Sequence, residues 1–230
     1  MAGILWSIIH PLVMVLIYSL VFSYIFGREI GETPFSLWLF CALLPWLMFS
    51  EIVRNSTGIL EKNKNLVTKT PFHSEILPLV VVGSALTGHL IGLSVLLILL
   101  LICKQSIGVF ALLIPFYTIC LILFALGLSW LVSALNVFIK DVSQIVSLIL
   151  QLWFYLCPIV YPAKIFPPKL LNLLRLNPMY FITEGYRRSL LNNQGILAVD
   201  FLCFFCITIF FLLAGGWIFR RLKGQFAEVL

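Results

Sequence analysis

The sequence is poor in charge. Asp, Glu, Lys and Arg make up only 10% of its 230 residues. Asp141 and Asp200 are the two aspartates, which excludes an Asp-x-Asp metal site for sugar nucleotides. No G-x-x-x-x-G-K-[ST] occurs, nor any Gly-Lys pair, so the chain has no loop of its own to cradle the phosphates of ATP. His10, His73 and His89 are scattered, and no Ser/His/Asp or Cys/His set is suggested. Cys203-x-x-Cys206 has redox or metal spacing but no histidine or second pair beside it. With Cys41, Cys103, Cys120 and Cys157 it reads as small apolar side chains in apolar stretches. The net charge is +6, yet no basic patch interleaved with aromatics accompanies it, so nucleic acid is not an expected partner. Cations that hold spans at lipid headgroups account for the excess.

Apolar residues fill the space that charge leaves. They are 62% of the chain, and the charges between them sit in a few short clusters. A helix needs about 20 mostly apolar residues to cross a hydrocarbon core about 30 Å thick. Six stretches meet that length: Ile4–Phe26, Phe35–Val53 interrupted by Pro45, Ile76–Cys103, Ile107–Val137, Val142–Val160 and Phe201–Phe219. The first has no charged leader region or cleavage site and reads as a retained span. Six spans with short connections consume residues 1–230, so a single membrane domain is expected.

An even number of spans puts both termini on one side. With the termini inside, Arg54, Lys62, Lys64, Lys69, Lys140, Arg220, Arg221 and Lys223 are cytoplasmic, 8 of the 15 basic residues. The dense Arg54–Lys69 cluster and the Arg220-Arg221-x-Lys223 end favour this orientation.

The segment from Arg54 to Glu75 is the most polar in the chain, and Ile59 and Leu60 among polar neighbours predict a short surface helix. It reads either as a solvated loop or as a docking element for a partner protein. The segment from Tyr161 to Asp200 holds five prolines counted from Pro158, yet stays apolar. A solvated loop would not. Short helices dipping into the outer half of the bilayer would, since irregular backbone at that depth has to lie against protein or water. Lys164, Lys169 and Arg175 on it are expected near outer headgroups, where simple interfacial anchoring suffices for most of them.

Gln144, Ser147, Gln151 and Tyr155 are spaced by 3, 4 and 4, so they share one face of the fifth span. Two glutamines facing lipid would be expensive. Either they line a hydrophilic path or they bond a neighbouring helix. His89 in span three stands between the same two readings. Ser84-x-x-x-Gly88-x-x-x-Gly92 and Ala125-x-x-x-Ser129-x-x-x-Ser133 permit close helix approach, within the chain or between copies.

Three blocks together resemble the membrane subunit of ABC-2-type exporters, nearest to the permeases for O-antigen and teichoic-acid-type polysaccharides. They are LWSIIHPLVMVLIYSLVFS at Leu5–Ser23, PWLMFSEIVRNSTGILEKNKNLVTKTPFHSEILPL at Pro45–Leu79, and LNVFIKDVSQIV at Leu135–Val146 with CPIVYP at Cys157–Pro162 and LNPMYFITEGYRRSLL at Leu176–Leu191. Their order and spacing carry the resemblance over nearly the whole chain. It departs in one place: the interfacial helix that precedes span one in the family is not seen before Ile4.

The resemblance implies an all-α integral membrane fold of six transmembrane helices, with a cytoplasmic coupling helix and re-entrant outer helices between spans five and six. It implies no enzymatic activity and no cofactor, ATP being bound by two copies of a separate ABC ATPase. Arg54, Asn55, Ile59, Leu60, Glu61 and Lys62 would then dock the ATPase. Gln144, Ser147, Gln151 and Tyr155 would line the substrate path of a homodimer. The cargo would be a polysaccharide on a polyprenyl diphosphate, whose headgroup Lys164, Lys169 and Arg175 could meet. The protein would sit in the bacterial cytoplasmic membrane with both termini cytoplasmic. Competing readings are an ABC-2 exporter of drugs or small lipids, and a membrane enzyme acting on lipid-linked sugars. The first usually carries a large insertion after span one, where Arg28–Pro34 is seven residues, and the second needs clustered carboxylates that the sequence lacks.

Overall fold

A computed structural model describes residues 9, 12–18, 20–21, 29–30, 33–69, 72–165, 167 and 174–229, the side chains of Glu29, Lys164 and Ala227 excepted. The described residues of the expected first span are helical, and Tyr18 stacks on Phe154 with ring centroids 5.4 Å apart. The length of that span lies outside the described residues. The polar connection at 28–34 contains two short antiparallel strands, β1 (Glu29–Ile30) and β2 (Thr33–Pro34). Four residues, too few for a helix, satisfy their backbone groups there by pairing, and the fold stays all-α as expected.

Helix α1 (Phe35–Thr57) is the axis of the molecule, with 17 of its 23 residues buried. Pro45 does not interrupt it, contrary to the expectation from sequence, and the helix runs one turn beyond Val53. Neighbouring helices tolerate a proline in such a position by enclosing the freed carbonyl. α1 touches α4 (Ile76–Ile102), α5 (Ile114–Phe138), α6 (Val142–Leu156) and α7 (Pro178–Leu190). Its central aromatics lock the bundle. Phe49 stacks on Phe124 of α5 at 5.5 Å, and Trp153 of α6 meets both edge-on at 5.3 and 6.3 Å.

The last long helix, α8 (Ala198–Leu222), lies along α5. Their backbones touch because glycines stand at the crossing. A methyl group on Gly127 would come within 2.6 Å of the Leu212 nitrogen, and one on Gly215 would run into the Gly127 carbonyl oxygen. Ala125, Ser129 and Ser133 are buried in the same helix, so that small-residue stripe is spent inside the chain. On α4, Gly92 is pressed against Leu44 while Ser84 stays exposed.

Four helices among the described residues are long and apolar enough to cross a membrane: α1, α4, residues 109–138 that include α5, and residues 198–225 that include α8. The fifth predicted span is shorter than its sequence suggested. α6 has 15 residues and stops at Leu156, where Pro158 and Pro162 follow. α8 turns Leu202, Phe205, Phe210, Leu213 and Trp217 outward. An apolar surface of that extent belongs in hydrocarbon, and the chain is an integral membrane protein.

The two ends of the bundle differ. At one end, α2 (Ile59–Lys62) and α3 (Lys64–Lys69) connect α1 to α4, beside the C-terminal turn α9 (Phe226–Val229). A small apolar cluster forms there from Leu60, Leu77, Ala134, Val137, Phe219 and Phe226. At the far end lie the start of α1, the end of α6 and all of α7. α7 begins with a formed cap, Asn177 accepting from the Met179 amide at 3.0 Å with Pro178 at the first helical position. It lies beside the first turns of α5 and α8: Tyr117 and Phe204 meet Phe181 at 5.2 and 4.9 Å.

Candidate functional site

The polar face of α6 is formed as its spacing requires. Val146, Leu150 and Phe154 recur every four residues and turn into the core. Gln144, Gln151 and Tyr155 lie to one side of that row and are exposed, with Ser147 half-buried. Ile145, Leu148, Ile149, Leu152 and Leu156 cover the rest of the helix. Among the described residues, no side chain hydrogen-bonds to Gln144 or Gln151. Ser147 Oγ donates to the Ser143 carbonyl at 2.9 Å. Tyr155 leaves 55% of its surface open while its ring meets Phe154 edge-on at 5.2 Å. A single copy therefore presents two free amides and an aromatic face. That surface can exchange hydrogen bonds with hydroxyls and stack a flat apolar ring.

The segment between α1 and α4 divides by burial. Arg54, Asn55, Glu61 and Lys62 are exposed and Ile59 is half-buried. Leu60 is 0% exposed, inserted among Leu77, Phe219 and Phe226. As a direct partner contact Leu60 is therefore corrected: its side chain is consumed within the chain, and what it does is fasten α2 down. Asn63 closes α2 by donating to the Ile59 carbonyl at 2.9 Å. Next to it, Lys223 donates to both carboxylate oxygens of Glu75 at 2.8 Å, and Trp130 Nε1 to the Glu75 carbonyl at 3.2 Å. Burial alone would raise the Glu75 carboxyl, but the Lys223 bonds outweigh it and hold the group below the usual carboxylate range.

Of the three far-end cations singled out, Arg175 is exposed and approaches Asp200 at 3.9 Å. The Lys164 side chain and Lys169 lie outside the described residues.

Two far-end clusters escaped the sequence reading. His89 Nε2 bonds the Tyr186 hydroxyl at 2.9 Å, which in turn bonds Thr118 Oγ1 at 2.7 Å. Of the two readings open for His89, helix–helix bonding is the one the structure makes. Arg187, counted in sequence as an outside cation, is 1% exposed. Its Nε donates to the Trp38 carbonyl at 3.2 Å, Nη1 to Pro158 at 2.5 Å and Nη2 to Ile159 at 2.7 Å. The guanidinium lies 3.3 Å from the Trp38 ring centroid, with Glu184 at 3.6 Å. The available signal was an arginine in an apolar, proline-rich stretch, where a buried charge marks a site by default.

Comparison with known proteins supplies the context for these surfaces. The model of the ABC-2 type transporter family matches residues 1–191. The chain is 31% identical over 230 residues to the O-antigen export system permease protein RfbA of Klebsiella pneumoniae, covering 99% of this chain and 87% of that protein. It is 28% identical over 228 residues to the protein of the same name from Myxococcus xanthus, covering 98% and 87%. It is 24% identical over 219 residues to the polysialic acid transport protein KpsM of Escherichia coli, covering 91% and 83%.

Proposed function

The chain belongs to the ABC-2 type transporter family, and on that premise we propose that it is the permease subunit of an ABC exporter that moves a lipid-linked polysaccharide across the bacterial cytoplasmic membrane. The names of its relatives, O-antigen and polysialic acid transporters, favour a glycan cargo. The single observation that carries this reading is the Gln144–Ser147–Gln151–Tyr155 face on an otherwise apolar helix, whose two glutamines are exposed and hydrogen-bonded by no side chain among the described residues. Lipid would reject it, and no neighbour within the described residues consumes it.

The mechanism rests on that face and on the segment at the other end of the bundle. Glutamine amides meet sugar hydroxyls, and Tyr155 meets the apolar face of a pyranose ring. Several modest contacts hold a polymer without trapping it, as movement along a path demands. Two copies of the chain bring two such faces together, and a homodimer supplies the wall that one copy lacks. Two copies of a separate ATPase bind and hydrolyse ATP. They dock on Arg54, Asn55, Glu61 and Lys62, with Leu60 and Ile59 fastening that segment to the spans. The basic end faces the cytoplasm, with both termini on that side. α7 dips into the outer half of the bilayer, and Lys164, Lys169 and Arg175 stand near the outer headgroups, where the diphosphate of the carrier lipid emerges.

Gln151→Leu tests the reading. It keeps volume and helix propensity and removes the amide. Surface glycan measured by immunoblot is expected to fall at least about fivefold, the effect of losing one or two hydrogen bonds at about 1 kcal/mol each. The complex with the ATPase should assemble as before. Unchanged export would remove this face from the path.

A further inference from the structure

The end of α6 has a complete hydrogen-bond account, and three of its seven carbonyls are served from α7 and its cap. A helix ends with carbonyls that lack partners, and in an apolar setting each has to find one. The Cys157 amide serves the Trp153 and Phe154 carbonyls. The Tyr161 hydroxyl donates to the Tyr155 carbonyl at 2.6 Å. Asn177 Nδ2 reaches the Leu156 carbonyl at 3.4 Å and Cys157 Sγ at 3.2 Å, while its Oδ1 accepts from Trp153 Nε1 at 2.9 Å. The Ile159 amide serves the Cys157 carbonyl. The Pro158 and Ile159 carbonyls are taken by Arg187. Asn177 stands at the start of α7 and Arg187 near its end. One helix thus grips the terminus of another at two points. The third Arg187 bond and the Trp38 ring tie both to the start of α1.

From this geometry we infer that α7 is a bracket that fixes the outer end of α6, with Arg187 as its principal positioning residue. The inference rests on the reading of Gln144–Tyr155 as the cargo face, since it says what sets that face's orientation. A cation buried at this depth is costly, and it persists because three carbonyls, an aromatic ring and Glu184 surround it. Its positive charge also lies where the α6 macrodipole is negative. The end of α6, α7 and the first turn of α1 therefore move as one body. The exit opens by displacement of that body against its surroundings, and α7 does not swing away from α6.

Only arginine fits the role. Lysine keeps the charge but has no planar fork to serve Trp38, Pro158 and Ile159 at once while stacking on a ring. The test uses the complete complex with its ATPase in lipid nanodiscs, where reagent reaches both membrane faces. Tyr155→Cys is introduced and its alkylation by a charged maleimide is followed by mass spectrometry at that residue. Adding Arg187→Lys is expected to speed labelling at least about tenfold, as the α6 terminus loosens. Export should fall with it, while the complex still assembles. Should Arg187→Lys fail to accumulate, Asn177→Ala removes the other grip and is expected to raise labelling about threefold. Labelling rates unchanged in the variant that assembles would overturn the inference. Labelling reads the orientation of α6 whatever its cargo. Altered labelling in Arg187→Lys beside unaltered export in Gln151→Leu would therefore retire the cargo face and uphold the bracket.

Discussion

Leu60→Ala separates anchoring of the α1–α4 connection from contact with a partner. Leu60 is fully buried, and α2 is a four-residue helix in which it is the one buried side chain. Truncating a buried leucine costs about 2–5 kcal/mol, the lost transfer free energy plus the cavity left behind. The cavity cannot collapse easily, because Phe219 and Phe226 are held edge-on at 5.3 Å and Phe138 backs Phe226 at 6.2 Å. So short a helix has little other stabilisation to draw on. The loss falls on the local opening equilibrium of 58–75 rather than on the bundle. Each 1.4 kcal/mol is about tenfold, so opening becomes about 30-fold more frequent even at the low end of the range. Lys62, Lys64 and Lys69 make the segment readable by trypsin. Under conditions where reclosing outruns cleavage, the cleavage rate tracks the open population and should rise by that factor. Glu61→Ala is the control: its side chain is exposed, so cleavage should stay within about twofold. Binding of the ATPase should weaken in both variants, for different reasons. Equal cleavage rates for Leu60→Ala and the wild-type chain would refute the anchor.

At the α5–α8 crossing, Gly127→Ala has to push apart backbones now 2.6 Å from the added carbon, at a cost of about 1–3 kcal/mol. For a chain this size that lowers the melting temperature by about 3–10 °C, measured by thiol-dye melting in detergent. Gly83→Ala, with nothing within 4 Å, should leave it unchanged or slightly higher. The Glu75–Lys223 pair gives a pH dependence of definite sign. Because the folded-state pKa of Glu75 is lowered, its contribution is present above the ordinary carboxylate range and is lost as pH falls through the lowered value. About a third of each side chain is exposed, so the effect is modest, up to about 1 kcal/mol. Hydrogen exchange of residues 223–229 should quicken several-fold in Glu75→Gln at neutral pH. Acidification should then add nothing in that variant, and a further rise there would exclude Glu75 as the titrating group.

Periodicity and composition made part of this fold legible in the sequence. Runs of apolar residues bounded by charge mark the limits of α4 and the end of α5, whose α-helix starts at Ile114 rather than near Ile107, and 3,4,4 spacing marks the α6 polar face. The 58–75 segment stands out because charge is scarce elsewhere. The features that stayed hidden depend on distance in the chain. Leu60 looked like a surface residue because its neighbours are polar, and the cluster that buries it comes from positions 77 to 226. The Ala125–Ser133 stripe signalled close approach, yet the contact with α8 is made at Gly127, which meets Gly215 88 residues away. Pro45 suggested a break, since local propensity knows nothing of the helices around it.

Arg187 shows the same limit from the side of function. In sequence it is one of two adjacent arginines after a polar Thr-Glu-Gly, and a count of charges assigns both to one side of the membrane. In the fold the pair divides. Arg187 is buried against carbonyls 28 and 149 residues away, while Arg188 remains partly exposed. The cause lies in the prolines at 158 and 162. They end α6 and leave carbonyls that no backbone amide nearby can serve. A helix that stops inside an apolar surround needs a donor from elsewhere, and a planar guanidinium supplies several at once. The interruption that makes the 157–177 stretch look like a loop is therefore the same feature that requires a buried cation next to it. A proline break at membrane depth and a nearby arginine are two halves of one structural demand.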